Sequence, residues 1–182
     1  LLEYIVPTVF RLQFACGLRP KEILRIRRAD MDYRHRKIYI RESKGHKDRI
    51  LPVNDDIIRL VSRYDVLLRT VYPDCVYLFP SPRGDAYRGG WLWNTFRKCW
   101  EMSGNKCGGR MPNPYALRHN YATYTLMKWI EEEKDLDVFI PYLSAYMGHE
   151  SFSSTFYYIH LLPERLSKLK YMDAGKIIGG NI

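Results

Sequence analysis

The sequence predicts a mainly α domain with a small antiparallel β-sheet of about three strands. Apolar residues return every three or four positions in several stretches long enough to be helices. Polar/apolar alternation is confined to short runs, chiefly Lys37-Ile38-Tyr39-Ile40-Arg41. Neither an internal repeat nor a low-complexity tract interrupts the 182 residues, which suffice for one good core.

Taken in order, Leu2, Ile5, Val6, Val9, Phe10, Leu12, Gln13 and Cys16 outline a first helix that stops at Gly17. Pro20 suits the first position of a new helix. Lys37–Arg41 and Arg49–Val53 pair as a hairpin whose tip, Ser43-Lys44-Gly45-His46-Lys47-Asp48, is basic. Asn54 or Asp55 caps a helix to about Thr70 that buries Ile57, Ile58, Leu60, Val61, Tyr64, Leu67 and Leu68. Val76-Tyr77-Leu78-Phe79 reads as the third strand, stopped by Pro80 and Pro82. An aromatic helix with Trp91, Leu92, Trp93, Phe96 and Trp100 reads as core. Residues 103–112 form a basic, Gly-containing loop. Asn113 and Pro114 then read as the N-cap and first position of a helix that turns Leu117, Tyr121, Tyr124 and Leu126 inward. A further helix shows Phe139, Tyr142, Leu143 and Tyr146 at helical spacing, with Gly148 as C-cap. After Ser151 or Ser153 a short helix carries Tyr157 and Tyr158, and Pro163 opens a final amphipathic segment.

Composition narrows the function. Hydrophobic residues make up 46% and charged residues 27%, an ordinary globular balance. No apolar run approaches a membrane span, and no signal peptide is visible. The chain opens on Leu1 inside an apolar helix, so it reads as a fragment whose N-terminal part was cut away. Net charge is +9. From Arg19 to Arg49, twelve Lys/Arg oppose five acids, a local excess of +7. Such a block points to a polyanion, nucleic acid before acidic lipid. Cys16, Cys75, Cys99 and Cys107 are scattered without a CxxC pair, which suits a reduced, intracellular setting. A zinc site from Cys99, Cys107 and His119 fits no standard spacing.

Several residues carry candidate chemistry. Arg19 stands at a helix N-terminus, where free amides and the dipole favour phosphate. Glu22, three residues on, is placed to brace its guanidinium. Lys44 projects from the hairpin tip, well placed to enter a DNA groove. Tyr115 and Arg118 share one helical face. His149 lies in a turn just upstream of Tyr157 and Tyr158.

Together, Gly-Leu-Arg-Pro-Lys-Glu, the Ser-Lys-Gly hairpin, Ala-Leu-Arg-His-Asn, Met-Gly-His-Glu-Ser and a tyrosine nine residues after that His resemble the catalytic domain of tyrosine recombinases. This is the phage-integrase and Xer-like family, also found as transposases of mobile elements. The resemblance runs from about Thr8 to Leu169. It implies that Arg19 and Arg118 are the paired catalytic arginines, Lys44 the hairpin lysine, His149 the turn histidine and Tyr158 the nucleophile, with Tyr157 the runner-up. Glu22 supports Arg19. Tyr115 departs from the family, which has His there; a phenol still donates to phosphate but carries no charge. Lys44, His46, Lys47 and Arg110 are the expected DNA contacts.

The activity implied is site-specific recombination of double-stranded DNA through a 3′-phosphotyrosyl link. It needs no metal and no nucleotide cofactor, and is carried out by a homo-oligomer, a tetramer on paired sites, in a bacterial cytoplasm. Residues 163–182 are expected to dock on a neighbouring protomer. The missing N-terminal domain is expected to clamp the other face of the DNA. A catalytically degenerate DNA-binding module and a type IB topoisomerase are the alternatives.

Overall fold

In this computed structural model, residues 2–41, 48–106, 108–109, 111–149, 155, 157 and 158 are described. The opening apolar run folds as α1 (Leu2–Cys16), burying Ile5, Val9, Leu12 and Cys16 along one stripe. Gly17 stops it in the left-handed region, at φ 58°. Pro20 opens α2 (Pro20–Ile23), and the Glu22 carboxylate accepts from the Arg19 backbone N–H at 2.8 Å, capping the short helix.

A 3₁₀ turn (Arg28–Asp30) leads to the sheet: β1 (Met31–Asp32), β2 (Lys37–Ile40) and β3 (Arg49–Pro52), antiparallel in that order. The register pairs Met31 with Ile38 and Ile38 with Leu51. Ile38, Ile40 and Leu51 face the core, while Ile50 is exposed. The hairpin forms as the alternation predicts, but its third partner differs. Val76–Phe79 contributes one isolated bridge, Tyr77 to Arg27, flanked by Arg28 N–H to Val76 O (2.9 Å) and Leu78 N–H to Ile26 O (2.8 Å). Met31–Asp32, unmarked by any alternating pattern, is the strand.

α3 (Asp55–Val71) begins where Asn54 Oδ1 accepts from Ile57 N–H at 2.9 Å. It buries Ile57, Val61, Tyr64 and Leu68, while Leu67, expected inside, is 40% exposed. α4 (Gly89–Met102) buries Leu92 and Phe96 but leaves Trp93 42% exposed, so only part of its aromatic run is core. α5 (Tyr115–Glu131) starts one residue later than expected. Pro114 occupies the cap, and Asn113 Oδ1 holds the Tyr115 N–H at 2.9 Å. Its buried stripe is Arg118, Ala122 and Leu126, and Tyr124 points outward. α6 (Leu136–Met147) buries Ile140, Leu143, Ser144 and Met147; Tyr142 is outside. Gly148 ends it at φ 65°.

Two apolar clusters result. One joins α1, α2, the sheet, α3 and α4; the other joins α5, α6 and Tyr158. Tyr146 packs against both. Each fully buried Leu or Ile contributes roughly 1.5–3 kcal/mol. Between the clusters, buried Gln13 donates Nε2–H to Leu18 O (3.3 Å) and Pro114 O (3.1 Å). That amide ties the turn before Arg19 to the start of the helix carrying Arg118.

Candidate active site

The site forms where the ends of α1, α5 and α6 meet. Arg118 lies on the inner stripe of α5 and is 3% exposed. Nη1 donates to Gly17 O at 2.6 Å and Nη2 to Met147 O at 2.7 Å, so one guanidinium holds both helix-ending turns. Burial lowers its pKa to about 10, with nearby Arg19 adding to the effect; it stays cationic at neutral pH.

Arg19 enters from the first turn. Nη1 donates to Glu22 Oε1 at 2.8 Å and Nη2 to Gly148 O. Glu22 is therefore the brace that its spacing suggests, but it braces two cations. Arg49 Nη1 and Nη2 reach Glu22 Oε1 and Oε2 at 2.8 and 2.9 Å, and its Nε donates to Tyr146 O at 2.9 Å. Arg49 was missed because its partners are distant in sequence. One signal could have found it. Arg49 and Leu51 share a face of β3, and a charge in phase with a buried Leu implies a partner.

His149 follows Gly148, with Nδ1 2.7 Å from Thr155 Oγ1. Burial first, then Arg118, Arg19 and Arg49, lower its pKa to about 4, so the ring is neutral at pH 7. Tyr158 stacks on that ring, centroids 5.9 Å apart and planes at 16°. Its phenol is raised by burial and pulled back by the charge and hydrogen bond of Arg118. Tyr157 is 54% exposed, whereas Tyr158 is 4% exposed. His119, also missed, lies 5.4 Å from the Tyr158 ring and 6.2 Å from Tyr157. Its buried Nδ1 has no hydrogen-bond partner among the described residues.

Arg19, Glu22, Arg118, His149 and Tyr158 thus converge. Tyr115 is 38% exposed, its ring 6.3 Å from Trp93. Lys44, His46, Lys47 and Arg110 lie outside the described residues, as do Cys107 and residues 159–182. Among the described residues no three His, Cys, Asp or Glu side chains gather as a metal site would require. A cleft of about 540 Å³ is lined by Lys21, Arg25, Arg27, Arg41 and Arg88, with no carboxylate among the described residues of its walls. No helix among the described residues is long and apolar enough to cross a membrane.

A helical domain with a small sheet, gathering guanidiniums around a buried tyrosine, is the architecture of a tyrosine recombinase catalytic domain. The chain belongs to the phage integrase family, whose model matches residues 4–165. Tyrosine recombinase XerA of Thermococcus onnurineus is 27% identical over 191 residues, all of this chain and 61% of that protein. Tyrosine recombinase XerD of Pseudomonas aeruginosa is 27% identical over 168 residues, 89% of this chain and 51% of that protein. The chain thus spans about half to three fifths of these relatives' length. A crystal structure of XerA recombinase superposes with TM-score 0.74 at 20% identity, covering 98% of this chain and 58% of that one.

Proposed function

We propose that this chain is the catalytic part of a site-specific DNA recombinase that cleaves and rejoins strands through a 3′-phosphotyrosyl intermediate. The observation that carries the reading is the placement of Tyr158 against Arg118, with Arg19 and His149 on the same small volume. The Tyr158 phenolic oxygen attacks phosphorus, the bond from phosphorus to the 5′-oxygen breaks, and the phenolic proton is released. Lys44 protonates the departing 5′-oxygen. Charge grows on the non-bridging oxygens, and the cations Arg19 and Arg118 stabilise it there. Their anchoring carbonyls remove the reorganisation that mobile side chains would need, and losing one such donor costs about 3 kcal/mol in barrier. A neutral His149 serves as a hydrogen-bonding group toward the phosphate rather than as a further cation.

Double-stranded DNA is the partner. The basic cleft along Lys21, Arg25, Arg27, Arg41 and Arg88 suits its backbone. Lys44, His46, Lys47 and Arg110, outside the described residues, are the further DNA contacts of this reading. Tyr115 serves as a neutral phosphate donor. Assembly is a tetramer on paired sites. A lambda integrase tetramer bound to a Holliday junction shares the fold, with TM-score 0.61. The protein works in the cytoplasm, and the chemistry takes no cofactor.

The test is a nicked suicide DNA substrate run on a denaturing gel. Wild type and Tyr157→Phe should form a covalent adduct, and Tyr158→Phe should form none. An adduct that survives Tyr158→Phe refutes the assignment, and a wild type that forms none on its cognate site refutes the enzyme reading.

A further inference from the structure

The residues facing His149 assign a role to a side chain that the functional reading leaves unused. Thr155 is fully buried, and its hydroxyl lies 2.7 Å from His149 Nδ1. Thr155, Tyr157 and Tyr158 are helical, and Thr155 and Tyr158 are three apart, on one face. One imidazole is therefore gripped twice by a single helical turn: edge-on by the Thr155 hydroxyl and face-on by the Tyr158 ring. A neutral imidazole carries a proton on only one nitrogen, and phosphate oxygens lacking protons can only accept.

We propose that Thr155 is a positioning residue: its hydroxyl donates to His149 Nδ1, leaves the ring proton on Nε2 for the scissile phosphate, and latches the turn that carries the nucleophile. The inference rests on the recombinase reading. When the Tyr158 turn is docked, His149 is held as an Nε2–H donor. When the turn leaves, Nδ1 loses its partner and the stacked ring is freed. Readiness of the phosphate pocket and presence of the nucleophile are thereby set by one contact.

Two variants and two readouts test this in the whole chain. Thr155→Val keeps the shape and removes the hydroxyl; Thr155→Ser keeps the hydroxyl. In single-turnover cleavage of suicide DNA at saturating protein, Thr155→Val should be slowed about tenfold, the effect of one lost neutral hydrogen bond, with DNA affinity unchanged. Thr155→Ser should stay within about threefold of wild type. Histidine ¹⁵N spectra, with the His149 signals assigned by their loss in His149→Asn, should show the proton on Nε2 in wild type and Thr155→Ser. In Thr155→Val they should show a mixture of tautomers. Wild-type cleavage by Thr155→Val, or a wild-type His149 protonated on Nδ1, overturns the proposal. If Thr155→Val fails to fold, the tautomer in wild type and Thr155→Ser decides. If wild type forms no adduct, the recombinase reading fails, while the spectra still judge the Thr155–His149 bond.

Discussion

Replacing Glu22 with Gln tests whether one carboxylate holds the cation cluster together. The change preserves shape and can keep the bond from the Arg19 backbone N–H, but removes the negative charge. Glu22 has a side-chain exposure of 5%, against 15% for Arg19 and 11% for Arg49, so little water is present to replace it. Breaking a buried ion pair from one side costs about 3–5 kcal/mol. Arg19 keeps Gly148 O and Arg49 keeps Tyr146 O, which places the loss near the low end, about 3 kcal/mol. With a urea slope of about 2 kcal/mol per molar, the unfolding midpoint should fall by about 1.5 M. Inorganic phosphate should restore part of that loss, because an anion beside the guanidiniums replaces the charge that Glu22 supplied. A midpoint shift under about 0.3 M, with unchanged slope, would show that the guanidiniums do not depend on Glu22.

Two further outcomes follow from the same geometry. Gly17→Ala meets a backbone at φ 58° and puts a Cβ 2.5 Å from Tyr121 Cδ1, so it should destabilise by about 3 kcal/mol, read as a lowered thermal midpoint. His149 should titrate near pH 4 in the folded chain, followed by its ring C–H resonances, against about 6.5 when unfolded. Because the unfolded state takes the proton first, stability should fall as pH drops from about 6.5 to about 4. The loss should be about 1–2 kcal/mol after allowance for the part of the ring that water reaches, and His149→Asn should flatten it.

What could be read from the sequence was local. Gly17, Pro20, Asn54 and Gly148 mark their helix ends through the conformations they permit, and each does so in the fold. The hairpin was visible because β2 alternates over four residues. β1 is two residues long and carries no pattern, while Val76–Phe79 has strand composition but forms a single isolated bridge, Tyr77 to Arg27, rather than a ladder. Aromatic spacing gave the wrong phase on α5 and α6. Tyr124 and Tyr142 fall outside because Leu126, Ile140, Leu143 and Met147 already fill the space between the helices. At the candidate site, Arg19, Glu22, Arg118, His149 and Tyr158 were singled out through motif spacing, and the fold brings their side chains together. Arg49, His119 and Thr155 matter through distances that only folding creates.

The grips on Arg118 are main-chain oxygens, those of Gly17 and Met147, and Arg19 and Arg49 add those of Gly148 and Tyr146. No substitution can delete a carbonyl. The oxygens that aim these guanidiniums therefore survive any side-chain exchange at the residues that bear them. Vulnerability shifts to the two glycine turns that aim those oxygens.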